Sequence, residues 1–187
     1  MPISLIAICF GVRGMNMILQ RYKFDFIWHF TDKSNLDSIQ QNNGLLSWGE
    51  LQRRGISVPT PGGNQWSHDA DKGNGVDNYV HLAFLDDHPM LFCAKQDGRI
   101  ATPIWLKINS SVLLGDGVRF SSEVSNKAGV QTLTAVEATE QIDFEVLFTR
   151  TDWRDPAIQA RRRTALKSEI LVPWTVPLNM IIDWKNG

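Results

Sequence analysis

Arg161-Arg162-Arg163-Thr164-Ala165-Leu166-Lys167-Ser168-Glu169-Ile170-Leu171-Val172-Pro173 joins a cationic turn or helix to an apolar, β-branched run, with one carboxylate at the junction. The run Ile170–Val172 reads as a strand and puts Glu169 at its mouth. An acid in that place, beside a basic approach, suits chemistry on an anionic substrate. The alternative is a surface glutamate that merely starts a strand, the commoner fate of a carboxylate. The choice turns on whether Glu169 folds against Trp28-His29-Phe30-Thr31, near the other end of the chain.

That second segment lies in Phe24–Phe30, an aromatic, apolar stretch that reads as a buried strand. Thr31 or Asp32 can cap a helix whose inner face carries Leu36 and Ile39, and Gly44 suits its C-terminal end. Residues 47–78 hold three Asp (Asp69, Asp71, Asp77), with Pro59, Pro61 and several glycines. They read as a long loop with one helical turn near Gly49–Arg54, the natural place for a lid. Tyr79–Phe84 and Ile104–Ile108 alternate as strands, and Asp86-Asp87-His88-Pro89 starts a short helix. Residues 121–160 are mixed, with Ile142–Phe148 helical or extended, and Met180–Trp184 is the last strand. Strands and helices do not alternate regularly, which predicts an α+β fold.

One domain suits 187 residues, and the formal net charge of −1 excludes a global basic field. The cations are clustered instead: Arg150, Arg154, Arg161, Arg162, Arg163 and Lys167 face only Asp152 and Asp155 within the same stretch. Such a run is either a solvated face or a patch that follows phosphates. Cys9 and Cys93 form no CxxC, and the four histidines have no HExxH spacing, so no metal is expected. Met1–Phe10 is apolar but lacks a basic leader and a cleavage site, and is too short to span a bilayer. Met15 or Met17 could begin the chain. Residues 1–20 are read as an extension, disordered or upstream of the true start, ahead of a single domain at 21–187. The expected setting is the cytoplasm, with no membrane partner.

The ordered set Trp28-His29-Phe30-Thr31, Gly44-Leu45-Leu46, Arg53-Arg54 before Val58-Pro59, Tyr79–Phe84, His88-Pro89-Met90-Leu91-Phe92, Glu169-Ile170-Leu171-Val172 and Val176-Pro177 resembles the DarT family. These are toxins that use NAD to ADP-ribosylate bases in single-stranded DNA. The resemblance runs from about Phe26 to Ile181. It implies the ADP-ribosyltransferase fold: a split, mixed β-sheet with an NAD cleft and flanking helices. It further implies that Trp28, His29 and Phe30 line the NAD pocket, that Thr31, Asp37 and Leu45 contact or bound the cofactor, and that Glu169 is catalytic.

Arg53 stands where the family has its functional arginine, and Arg54 is a close alternative. Because a guanidinium keeps its proton, electrostatic help to the acceptor base, or pairing with the pyrophosphate, suits Arg53 better than proton abstraction. The segment from about Ser121 to Glu169 corresponds to the substrate-reading loop. There Arg154, Arg161, Arg162, Arg163 and Lys167 are candidates for holding the nucleic-acid backbone, with Trp153 stacking on a base. His29, in an aromatic strand, is either a hydrogen-bonded core residue or a neutral imidazole that donates to the adenosine ribose.

The chain departs from the family in a shorter Leu46–Arg53 segment, in Phe120-Ser121-Ser122 where the family carries an FTD-type element, and in Lys167 two residues before the glutamate. The implied acceptor is thymidine in single-stranded DNA, and the implied partner is a macrodomain antitoxin. An enzyme of the same fold acting on RNA or protein, or an inactive binding module, are the other readings. Lys167 argues mildly against the arginine-modifying protein class, which needs a second acid at that position.

Overall fold

The strand at Phe26–Asp32 (β1) is flanked on both sides, and the rest of the sheet is arranged around it. The computed structural model describes residues 3–187, with side chains from residue 13 onward. The helices are α1 (Ile3–Tyr22), α2 (Leu36–Gln41), α3 (Trp48–Arg54), α4 (Gln65–Gly73), α5 (Pro89–Gln96), α6 (Ala135–Gln141), α7 (Phe144–Phe148) and α8 (Pro156–Ala165). The other strands are β2 (Gly44–Leu46), β3 (Tyr79–Ala83), β4 (Pro103–Asn109), β5 (Arg119–Ser121), β6 (Glu169–Pro173), β7 (Thr175–Pro177) and β8 (Ile181–Asn186).

Six strands form one sheet in the order β5-β6-β3-β1-β4-β8, and β2 pairs with β7 in a second, small sheet. The division agrees with the expected split sheet. The pairings are all antiparallel, where a mixed sheet was expected. Parallel pairing needs a crossover that returns the chain to the same end of the sheet, and the helical excursions here return it at the opposite end.

Strand alternation divides the core in two. Ile27, Val80, Leu82, Ile104, Leu106, Ile108, Phe120 and Ile170 pack on one face, under Phe144, Val146 and Ala138 from α6 and α7. Trp28, Ala83 and Trp105 occupy the other face with Leu91 and Ala94 of α5. At Gly44 no other residue fits: its φ is +145°, and a Cβ would sit 2.2 Å from the Val176 carbonyl oxygen. This close approach is what lets β2 lie against β7.

Two expectations change. Residues 47–78 are not one loop, because Ser47 and Asn64 accept hydrogen bonds from Glu50 N–H and Ser67 N–H and so start two helices. Gly55, in the left-handed region at φ 67°, ends the first. The boundary expected at residue 20 falls inside α1. Met15 is fully buried, Ile18, Leu19 and Tyr22 pack against the core, and Tyr22 stacks on Phe144 at 6.3 Å. The described side chains of α1 therefore close the main core rather than extend from it; residues 1 and 2 of the expected extension lie outside the described residues. Met15→Ala is expected to cost about 2–5 kcal/mol in urea unfolding, and an unchanged midpoint would contradict this packing. Among the described residues no helix is long and apolar enough to cross a membrane.

Candidate active site

Glu169 is the first residue of β6, held in register opposite Ala83 of β3 and Ser121 of β5. It is only 6% exposed, yet it lines a cleft with about 1230 Å³ of empty space, counting the part open to solvent. The cleft walls come from His29–Thr31 of β1, Leu45 of β2, Trp48 and Leu51 of α3, His68 and Asp71 of α4, His81 of β3 and the loop Val124–Asn126. The two ends of the chain thus meet at one cleft.

A buried carboxylate needs partners, and Glu169 has several. Its Oε2 accepts hydrogen bonds from the Ser125 hydroxyl at 2.5 Å, the Ser125 N–H at 3.1 Å and His81 Nδ1 at 3.3 Å. Its Oε1 faces His88 Nε2 at 3.7 Å. His81 Nε2 lies 3.3 Å from the Val76 carbonyl oxygen, so both ring nitrogens of His81 point at acceptors, the arrangement of a protonated imidazole. Burial opposes that charge, but the hydrogen bond and charge of Glu169, with the charge of Asp71, push the His81 pKa up to about 9. Burial likewise raises the Glu169 carboxyl, and His81, His88 and Ser125 together bring it below the usual carboxylate range.

The pH signs follow from these shifts. The raised pKa of His81 contributes stability that is full below its unfolded value of 6.5 and is lost as pH rises through about 9. The depressed pKa of Glu169 contributes stability present above 4.5 and lost as pH falls through its lower folded value. A thermal unfolding series is expected to show a fall in Tm between the two His81 values, and His81→Gln is expected to remove that component.

The opposite wall is built from β1. His29 donates from Nδ1 to the His81 carbonyl oxygen at 2.9 Å, and burial lowers its pKa to about 4, so the ring is neutral. With Nδ1–H engaged, Nε2 is an acceptor, which corrects the expectation that His29 donates to a ribose. Thr31 is buried, and its hydroxyl accepts from Asn35 Nδ2, which also reaches the Thr60 carbonyl oxygen at 2.7 Å. Those bonds tie the segment between α3 and α4 to β1. Trp48 stacks flat on His68, with ring centroids 3.6 Å apart, and clasps α3 to α4 beside the cleft.

Not every expected residue comes to the site. His29, Phe30, Thr31, Leu45 and Glu169 line the cleft. Trp28 does not: it shares a strand face with Phe30 but lies two residues further from the cleft, and its ring packs in the second core cluster with Ala83, Leu91 and Trp105. Asp37 is exposed on α2 and is absent from the cleft wall. Arg53 sits at the end of α3, beyond the cleft-lining Trp48 and Leu51, with its fork on Glu50 at 2.6 Å for both bonds; Arg54 shares that carboxylate.

Of the cationic group, Arg161 is committed to Asp143 and Glu145, and Arg162 donates to the Val146 carbonyl oxygen. Lys167 lies 3.8 Å from Glu123. Arg163 is exposed, and Arg154 lies 6.0 Å from the ring of Trp153, which is 70% exposed. His81, His88, Ser125 and Asp71 were not singled out as site residues by the sequence. The one available signal was a histidine in each of two apolar strands, at positions 29 and 81.

The family comparison gives this divided sheet, with its buried glutamate at the cleft, a class, the ADP-ribosyltransferases. Within that class the chain belongs to the DarT family: the family described as "ssDNA thymidine ADP-ribosyltransferase, DarT" matches residues 28–183. It is accordingly an ADP-ribosyltransferase. Among solved structures it is similar to Thermus sp. 2.9 DarT in complex with ADP-ribosylated ssDNA (TM-score 0.60, 19% identity, 84% of this chain and 78% of that one). It is also similar to Thermus sp. 2.9 DarT in complex with NAD+ (TM-score 0.56, 21% identity, 86% and 80%). Thermosipho africanus DarTG in complex with ADP-ribose gives a TM-score of 0.63 at 16% identity, over 86% of this chain and 43% of that one. At these identities the likeness is one of fold. No curated protein sequence matches at a significant level.

Proposed function

We propose that the cleft transfers ADP-ribose from NAD to thymidine in single-stranded DNA, with Glu169 as the catalytic carboxylate. The observation that carries this reading is the Glu169 carboxylate itself: ionised, buried, and fixed at the cleft floor by Ser125 and His81. NAD supplies a ribose whose anomeric carbon becomes positively charged as the bond to nicotinamide breaks. A carboxylate held rigidly in a water-poor site stabilises such charge without having to reorganise.

The cleft offers what a dinucleotide requires. Phe30, Ile39 and Leu45 give apolar surface, His29 Nε2 an acceptor, and Trp48 and His68 a flat pair of rings. His68 Nε2 is buried without a hydrogen-bond partner among the described residues, so a polar group of a ligand there would satisfy it. Arg53 lies past the cleft-lining residues of α3 with its fork on Glu50, and would stabilise negative charge on the acceptor base only by turning from that carboxylate. Thymine presents its reacting edge only when unpaired, which favours single strands over duplex.

The strand would lie across Trp153, Arg154 and Arg163, while Arg161 serves the fold. Arg154→Ala and Arg163→Ala are each expected to weaken DNA binding and to make its salt dependence shallower, by about 0.7 in the log–log slope for each phosphate no longer neutralised. Arg161→Ala is expected to act through stability instead. Filter binding at several salt concentrations separates the two outcomes; an unchanged slope for both of the first pair would remove this face from the DNA path.

Transfer to genomic DNA would arrest growth, so the chain would act as a toxin in the cytoplasm, countered by a macrodomain antitoxin that removes the mark. Incubation with labelled NAD and a panel of oligonucleotides tests the whole reading. Label is expected on thymidine-containing single strands, and not on duplex or on strands lacking thymidine. Label on RNA or protein alone would replace the acceptor with another class.

A further inference from the structure

We propose that Asp71 is the group that accepts the proton lost by the acceptor base during transfer. This deepens the reading of the cleft given above and rests on it. Asp71 belongs to α4 and lines the cleft with His81 and Glu169. Its Oδ1 is buried and has no hydrogen-bond partner among the described residues. Its backbone carbonyl does have a role, accepting from Val76 N–H at 2.8 Å. Buried carboxylates elsewhere are consumed: Asp32 accepts from Ser34, Ala101 and Thr102, and Glu169 from Ser125 and His81. A buried, unpaired carboxylate oxygen on a residue of the cleft wall is the feature of a group that a ligand proton would satisfy.

The surroundings set its basicity. Burial raises the Asp71 carboxyl to about 6, Glu169 and Asp77 add to the rise, and His81 opposes it. His68, on the same helix, is held below its ordinary value by burial. Near neutral pH Asp71 is therefore mostly ionised and more basic than a solvent-exposed aspartate, which suits a proton acceptor. Glu169 is unsuited to that task, because its charge is engaged by His81 and serves the ribose. Arg53 is unsuited because a guanidinium has no free base form to offer.

The step balances. The bond between thymine N3 and the ribose anomeric carbon forms, and the bond from that carbon to nicotinamide breaks, with its electron pair remaining on the nicotinamide nitrogen. The N3 proton passes to Asp71 Oδ1 and then to solvent, so the carboxylate is regenerated.

The test is kcat against pH for the purified chain with labelled NAD and a thymidine oligonucleotide. The native chain is expected to show an acidic limb with its midpoint near 6. Asp71→Asn is expected to lower kcat about 100-fold or more, to leave the KM for NAD unchanged and to lose that limb. Asp71→Glu is expected to restore part of the rate. A flat native profile overturns the proposal without any variant. So does an Asp71→Asn chain that keeps its rate and its limb, one that changes only the KM for NAD, or loss of NAD binding in both variants. If Glu169→Ala still labels DNA, the reading of the cleft fails; if only the Asp71 results fail, that reading stands and a different group takes the proton.

Discussion

Glu169→Ala is expected to lower ADP-ribose transfer by about 100- to 1000-fold, the loss seen when a fixed charge stabiliser is removed from a dry site. The substitution leaves the walls of the cleft in place, since Leu45, Phe30 and Thr31 belong to other strands. NAD binding is therefore expected to survive, and the loss to fall on kcat. Glu169→Gln makes the sharper comparison. It keeps the size of the side chain and one hydrogen-bond acceptor for Ser125, but it removes the negative charge. Equal inactivity of both variants locates the effect in charge. A glutamine variant with near-native rate would show that the carboxylate only positions a ligand. In cells, the same substitution is expected to relieve any growth arrest caused by the native chain.

The second large effect is expected at His81. His81→Ala leaves the Glu169 charge buried beside Ser125 without its ion-pair partner. Removal of one member of a buried pair destabilises strongly, and about 3 kcal/mol is expected here, at the lower end because the His81 side chain is 27% exposed. Activity should fall as well, because the carboxyl would rise toward the neutral form that burial favours. The double variant His81→Ala, Glu169→Gln separates the two consequences. With no charge left to strand, it should recover most of the lost stability while remaining inactive. Additive losses of stability in the double variant would show that the two side chains do not interact.

The sequence was legible where a single local pattern decides the structure. Ile170–Val172 is a strand because a β-branched apolar run has few other fates, and Glu169 had to stand at its start. The same is true of β1 and of the helix opened by His88 and Pro89. Legibility failed where the deciding partner is remote. Arg161 looked free because its partners, Asp143 and Glu145, come from another part of the chain. Trp28 was expected at the pocket from the family resemblance alone, and which residues of a strand reach a cleft depends on where along the strand the cleft opens. His81 is an alternating position in Tyr79–Ala83 whose role emerges only when β6 pairs beside it and brings Glu169 within reach. Ser125 lies in a loop with no pattern of its own, and only folding brings its hydroxyl to the carboxylate. The caps at Ser47 and Asn64 were hidden among glycines and prolines that more often mark loops.

A co-crystal structure with an NAD analogue that cannot transfer its ADP-ribose is the most direct measurement. The expected result is a nicotinamide ribose within hydrogen-bond distance of the Glu169 carboxylate, with the dinucleotide lying against His29, Phe30 and Leu45. An analogue bound elsewhere, or one whose ribose lies remote from Glu169, would contradict the assignment of this cleft as the site of transfer.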